Sequence, residues 1–189
     1  VGLYCSLSID SKDNLYISYY DMDNGDLKFA KYDKAKDSWS VKKIYESGNL
    51  GTFTSVAVHP TGGIAGKLGI AFFNVSLGAL QFTYLGGDDI TWKGSTVQYA
   101  SDVGQSTSLA INDDGIPFIS YMNDTRDLLK YAQYTGMSWY KTYVTSIVPA
   151  GPFSSIDLRT EYDPVIAFYE QKDKDLRTAE LGLGSWDYS

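Results

Sequence analysis

The sequence predicts an all-β fold built from four copies of one unit, and three observations carry that expectation. First, the stretch "SLSIDSKDNLYISYYDMDNGDLKFA", from Ser6 to Ala30, returns as "SLAINDDGIPFISYMNDTRDLLKYA" from Ser108 to Ala132. Second, Gly2, Gly51, Gly104 and Gly151 each open a copy, spaced 49, 53 and 47 residues apart. Third, the apolar runs are short, rich in Tyr, Ile, Val and Phe, and broken by Asp, Asn, Gly and Lys. That is the pattern of strands and tight turns, with none of the 3.6-residue period of an amphipathic helix.

The markers recur in one order. Each opening Gly is followed four residues later by Ser6, Ser55, Ser108 or Ser155. Next come "YISYYD", "GIAFFN", "FISYMN" and "VIAFYE", in which Ile17, Ile70, Ile119 and Ile166 hold one place. The runs "LKFA", "LQFT", "LKYA" and "LRTA" follow, and each copy then reaches Trp39, Trp92, Trp139 or Trp186. From each of the first three tryptophans to the next opening Gly is 12 residues. Each copy therefore yields four strands: at Ser-Leu-x-Ile, at "ISYY" and its equivalents, at "LKFA" and its equivalents, and from the Trp onward.

A period near 50 residues with four antiparallel strands per unit predicts a β-propeller, with blades at about 2–50, 51–103, 104–150 and 151–189. The Ser6, Ser55, Ser108 and Ser155 strands are expected innermost, around an axis. The second strand of each copy is apolar or small on both faces, as a strand covered on both sides must be. Ser18, Ala71, Ser120 and Ala167 would let blades approach, while Tyr19, Phe72, Tyr121 and Phe168 fill the space between them. The four tryptophans are expected to be structural, each burying its ring to pin the hairpin of its own blade. Cys5 stands where other copies have Thr54, Thr107 and Ser154, so it reads as a small buried strand residue. His59, the single histidine, has no second His or Cys nearby in sequence to make a metal or catalytic pair.

Composition narrows the function classes. With 43% apolar and 15% aromatic residues among 189, the chain can bury a substantial core. A net charge of −7 argues against nucleic acid or an anionic membrane as partner, because both demand a basic patch. No apolar run approaches the roughly 18 residues of a membrane span.

The form "SLAxDxxGxPxISYYD…LKYA…SW" resembles the BNR, or sialidase-like, propeller repeats of bacterial and archaeal surface and secreted proteins. Other propeller repeats fit less well: the Trp-Asp pair occurs once, at Trp186-Asp187, and the double glycines Gly62-Gly63 and Gly86-Gly87 both fall in copy two. The resemblance implies an extracellular or cell-surface location. In that family an Asp-box, Ser-x-Asp-x-Gly-x-Thr-Trp, precedes the last strand of a blade. Here the turns read "KAKDSW", "GGDDITW", "YTGMSW" and "GLGSW", so only the Ser/Thr-Trp tail persists, with Asp88 or Asp89 as a partial echo. Sialidase-type catalysis would also need three converging arginines. Arg126 and Arg159 belong to loops on opposite faces and Arg177 to a strand, so that chemistry is not expected.

The loops joining second and third strands are "DMDNGD", "NVSLG", "NDTRD" and "EQKDKD". They are expected to give one face an acidic character through Asp21, Asp23, Asp26, Asn123, Asp124, Asp127, Glu170, Asp173 and Asp175. These are the candidate ligand-binding residues, in solvated turns that use Asp, Asn and Gly for their geometry. No cofactor is expected: clustered oxygens of this kind suit calcium, but "DMDNGD" misses the EF-hand spacing and reads as an ordinary acidic turn. Asn74 and Asn123 each open an N-glycosylation triplet in these loops.

Val1-Gly2 matches Val103-Gly104, and Trp186 is followed by only three residues, so the last blade is expected to have an abbreviated fourth strand. The copies would then close as a four-bladed ring or form part of a longer array that self-associates through the incomplete blade. The leading functional expectation is a non-enzymatic binding or scaffold module whose partner is a protein or glycan. A lectin-like propeller is the alternative, and a glycoside hydrolase with an unrecognised carboxylate pair the third reading.

Overall fold

The computed structural model describes residues 2–45, 48–59, 68–86, 90–99, 103–145, 149–182 and 184–189. The Gly62-Gly63 pair, Gly87 and the Asp88-Asp89 echo lie outside the described residues. Sixteen strands form four antiparallel four-stranded sheets, and no helix occurs among the described residues. The first sheet holds β1–β4 (Leu3–Ile9, Leu15–Asp21, Asp26–Asp33, Ser38–Lys43). The second holds β5–β8 (Leu50–Val58, Leu68–Asn74, Ala79–Leu85, Trp92–Tyr99). The third holds β9–β12 (Val103–Ile111, Pro117–Asn123, Leu128–Tyr134, Trp139–Tyr143). The fourth holds β13–β16 (Ala150–Leu158, Pro164–Glu170, Asp175–Leu181, Trp186–Tyr188). In every sheet the strands lie side by side in chain order, the meander of a propeller blade.

The innermost strands pack in series, β1 on β5, β5 on β9 and β9 on β13, with no comparable packing of β13 on β1. Four sheets thus stand around one axis with an opening between the first and the fourth. A serine relay ties the series together. Ser6 Oγ accepts the backbone N–H of Val56, Ser55 that of Leu109 and Ser108 that of Ile156, each at 3.1 Å. The recurring serine is therefore the acceptor that each blade offers to the next. Small residues in the second strands do let the sheets approach: Thr54 donates to Ser18 at 2.6 Å, and the hydroxyls of Ser120 and Ser154 lie 2.9 Å apart.

The tryptophans work differently from the expectation. Trp92, Trp139 and Trp186 lie edge-on to Phe29, Phe82 and Tyr131 of the preceding sheet, with ring centroids 5.3, 5.5 and 5.2 Å apart. They join blades as well as closing their own hairpins. Trp39 meets no ring of another sheet among the described residues and is 53% exposed, so its expected burial is corrected. Cys5 is likewise exposed rather than buried. Leu7 shows the open side most plainly: it is 57% exposed, whereas Val56, Leu109 and Ile156 at the same place are 5–7% exposed.

Candidate functional site

Strands β1, β5, β9 and β13 begin, and β2, β6, β10 and β14 end, on one face, where the four loops of the candidate residues lie. That face is less openly acidic than its sequence predicts. Asp21, Asp26 and Glu170 are buried in their own turns, a correction to the picture of solvated ligands. Asp21 is paired with Lys28 and accepts from Asn24 Nδ2 at 2.8 Å, while Lys43 reaches Asp26 at 3.1 Å. Glu170 accepts the N–H groups of Lys172 and Asp173 at 2.6 and 3.0 Å, closing the β14–β15 turn. Asn74 and Asn123, the two sequon residues, are buried too; Asn74 bonds Gln81 at 2.9 Å and accepts the Leu77 N–H at 3.1 Å. Asp23, Asp124, Asp127, Asp173 and Asp175 remain exposed, spread over the first, third and fourth of these loops. Among the described residues no three of His, Cys, Asp and Glu come close enough to hold a metal ion.

The Lys28 ammonium, with Asn24, holds the Asp21 carboxyl down at about 2. Its folded-state value lies below the unfolded one, about 3.9. The stabilisation is therefore complete above about pH 4 and is lost as pH falls towards 2. We expect Asp21→Asn to be less stable than the parent at neutral pH and to show a shallower loss of stability between about pH 4 and 2. An unchanged acid limb in a series of denaturant titrations would show that the pair does not couple to folding.

The feature of this face that sequence reasoning missed lies at its centre. Two residues after each opening Gly, Tyr4, Phe53, Ser106 and Phe153 all adopt left-handed backbone, with φ of 53, 51, 50 and 86°. The pairing register shifts there in each inner strand, so all four carry a bulge. Bulky residues avoid this region, and each such residue costs on the order of 1–3 kcal/mol. Paying that four times, at one position of the repeat, re-aims four side chains at the axis. Tyr4, Phe53 and Phe153 line a shallow cavity of about 150 Å³ with Thr54, Ser106 and Ser154. The Tyr4 and Phe53 rings lie 4.4 Å apart between centroids, tilted by 41°. Tyr4 is 43% and Phe153 72% exposed, so aromatic faces meet solvent beside hydroxyl groups.

At the opposite end of the axis a cavity of about 670 Å³ is lined in part by Asp113, Asp157, Arg159 and Glu161. Partial loss of water and the neighbouring Asp113 and Asp114 carboxylates push Glu161 above the ordinary carboxylate range. Glu161 also accepts the Asp113 N–H at 2.9 Å, and Tyr162 donates to Asp114 at 2.6 Å, which ties the third sheet to the fourth. Arg159 is held on this face by Asp163 and Glu180, away from Arg126 and Arg177 on the other.

No family model and no curated protein sequence matches the chain. Its fold does match solved structures. The GH93 α-L-arabinofuranosidase of Fusarium graminearum, solved with arabinobiose, superposes with a TM-score of 0.64 at 12% identity, over 99% of this chain and 65% of that one. A protein of unknown function from Dyadobacter fermentans gives 0.67 at 10% identity, over 97% and 63%. A GH43 β-1,3-galactosidase gives 0.61 at 10% identity, over 100% and 45%. The fold is a β-propeller. The chain spans just under two thirds of the length of the arabinofuranosidase and of the Dyadobacter protein. The expectation of a non-enzymatic module is corrected here, because propellers of this architecture include glycoside hydrolases. The missing sialidase-type arginine cluster bears on one mechanism only.

Proposed function

We propose that this propeller belongs to a carbohydrate-active protein of the cell surface or exterior, built of BNR-class repeats, and that the axial mouth receives a sugar ring. The observation that carries this reading is the fourfold left-handed bulge, which sets Tyr4, Phe53 and Phe153 around one opening. Flat aromatic faces pack against the C–H faces of a pyranose or furanose. The Ser106 hydroxyl donates to and accepts from sugar hydroxyls, and the Thr54 oxygen, whose proton goes to Ser18, accepts from them. Holding the rings in strained backbone spares the ordering cost that a flexible aromatic would bear on binding. The saccharide chemistry of the arabinofuranosidase and the galactosidase supports the same class of ligand.

Tyr4 and Phe153 are exposed, so alanine at either leaves the sheets intact. In calorimetric titrations with neutral oligosaccharides, Tyr4→Ala and Phe153→Ala are each expected to weaken binding at least tenfold, or about 1.4 kcal/mol. Binding that survives both substitutions unchanged would remove the mouth from the reading.

A further inference from the structure

A third cavity, of about 370 Å³, lies between the first and second sheets towards the face opposite the mouth. Its volume is within the range of small-molecule pockets. The floor is aromatic: Trp92 meets the Phe29 ring edge-on at 5.3 Å, and Tyr16 stacks on Phe29 at 6.2 Å. The rim is formed by Lys12, Lys31, Lys42 and Asp10.

The polar groups here are unbalanced. Trp92 Nε1 is buried and has no hydrogen-bond partner. In the next cleft round the axis, Trp139 Nε1 donates to Ser95 Oγ at 3.1 Å. Ser95 pairs with Phe82 on β7, and Lys42 pairs with Phe29 on β3, so Lys42 stands where Ser95 would. An ammonium cannot accept from an indole N–H, so the Trp92 donor stays unanswered beside a cavity that Lys42 also lines. The charges repeat the imbalance. Lys28, Lys36 and Lys43 of the same sheet each pair with an Asp. Lys12, Lys31 and Lys42 have no ion pair among the described residues, and Lys31 lies over the Tyr16 ring at 5.5 Å. Asp10, the acid on the rim, is already committed. It accepts the Lys12 and Asn14 N–H groups, Asn14 Nδ2 and Tyr16 Oη, all within 2.8–3.0 Å. In a chain of net charge −7, this cleft presents cations and an unanswered donor.

We propose that the cleft between the first and second sheets binds a ring-sized carboxylate, a hexuronate unit of an acidic saccharide. Its carboxylate accepts from Lys42 and Trp92 Nε1, and its ring lies on the aromatic floor. This site is separate from the axial mouth, so either reading stands or falls without the other.

The test uses methyl glucuronoside as probe, with methyl glucoside and acetate as comparisons, read by tryptophan fluorescence and calorimetry. The expected result is binding of the glucuronoside that weakens as salt is raised, with glucoside and acetate at least tenfold weaker. Lys42→Ser, which installs the acceptor found in the next cleft, is expected to lose at least tenfold in affinity while keeping its thermal midpoint. Trp92→Phe keeps an aromatic floor, removes the N–H and is expected to lose affinity as well. Lys42→Arg should retain binding. Equal affinity for glucoside and glucuronoside, full affinity in Lys42→Ser, or no binding of the glucuronoside would each overturn the proposal. Loss in Tyr4→Ala rather than in Lys42→Ser would put the ligand at the mouth and overturn it equally.

Discussion

Replacing Gly104 with alanine is expected to destabilise the protein by about 3–5 kcal/mol, the sum of backbone strain and overpacking. Gly104 has φ +116°, a conformation that L side chains rarely adopt. A Cβ there would sit 2.7 Å from Leu80 Cβ and 2.8 Å from Leu80 Cα on β7. Backbone cannot yield as a flexible side chain does, so the second and third sheets would have to part. Gly2 supplies the control. It occupies the same place in the first copy, with φ +92°, and a Cβ there would meet nothing within 4 Å. Gly2→Ala is therefore expected to cost only local strain, about 1 kcal/mol. Chemical denaturation of the two variants checks the pair, and equal losses would mean that close approach of sheets is not what the opening glycine serves.

The second large effect separates two tryptophans that the sequence writes alike. Trp186→Ala is expected to cost about 3–5 kcal/mol as a large-to-small change in the core. Trp186 is 9% exposed and its ring meets Tyr131 at 5.2 Å. Trp39→Ala is expected to cost less than about 1 kcal/mol, as for a surface side chain. Urea titrations of both variants decide it. Similar losses would show that the ring acts within its own hairpin, where Trp39 meets Tyr32 at 5.3 Å, and not across the boundary between sheets.

The repeat was legible because its markers are the points where one sheet touches the next. Gly104 marks a close approach, Ser55 an acceptor and Trp139 a ring contact, and each must recur wherever the contact recurs. What those markers touch was hidden, since Trp92 finds Phe29 in the preceding copy and linear spacing reports only local neighbours. The loop carboxylates misled for another reason. Composition shows Asp21 and Glu170 as acids, while their burial follows from partners seven residues on, Lys28 and Arg177. The same interval joins Asn74 to Gln81, a signal that was present and unused. The mouth left almost no trace in the sequence. Tyr4, Phe53, Ser106 and Phe153 differ in chemistry and agree only in φ, which no alignment of letters displays.

The serine relay has a consequence for how the molecule comes apart. Ser6, Ser55 and Ser108 each reach forward to one neighbour, so the sheets are coupled pairwise, like beads whose springs join only adjacent members. The second and third sheets are gripped from both sides, the first and fourth from one. Among these four sheets, losing one boundary therefore withdraws half of the support of a middle sheet. The axial mouth draws residues from every sheet, so it depends on every boundary at once. A cleft between the first two sheets survives as long as a single boundary holds.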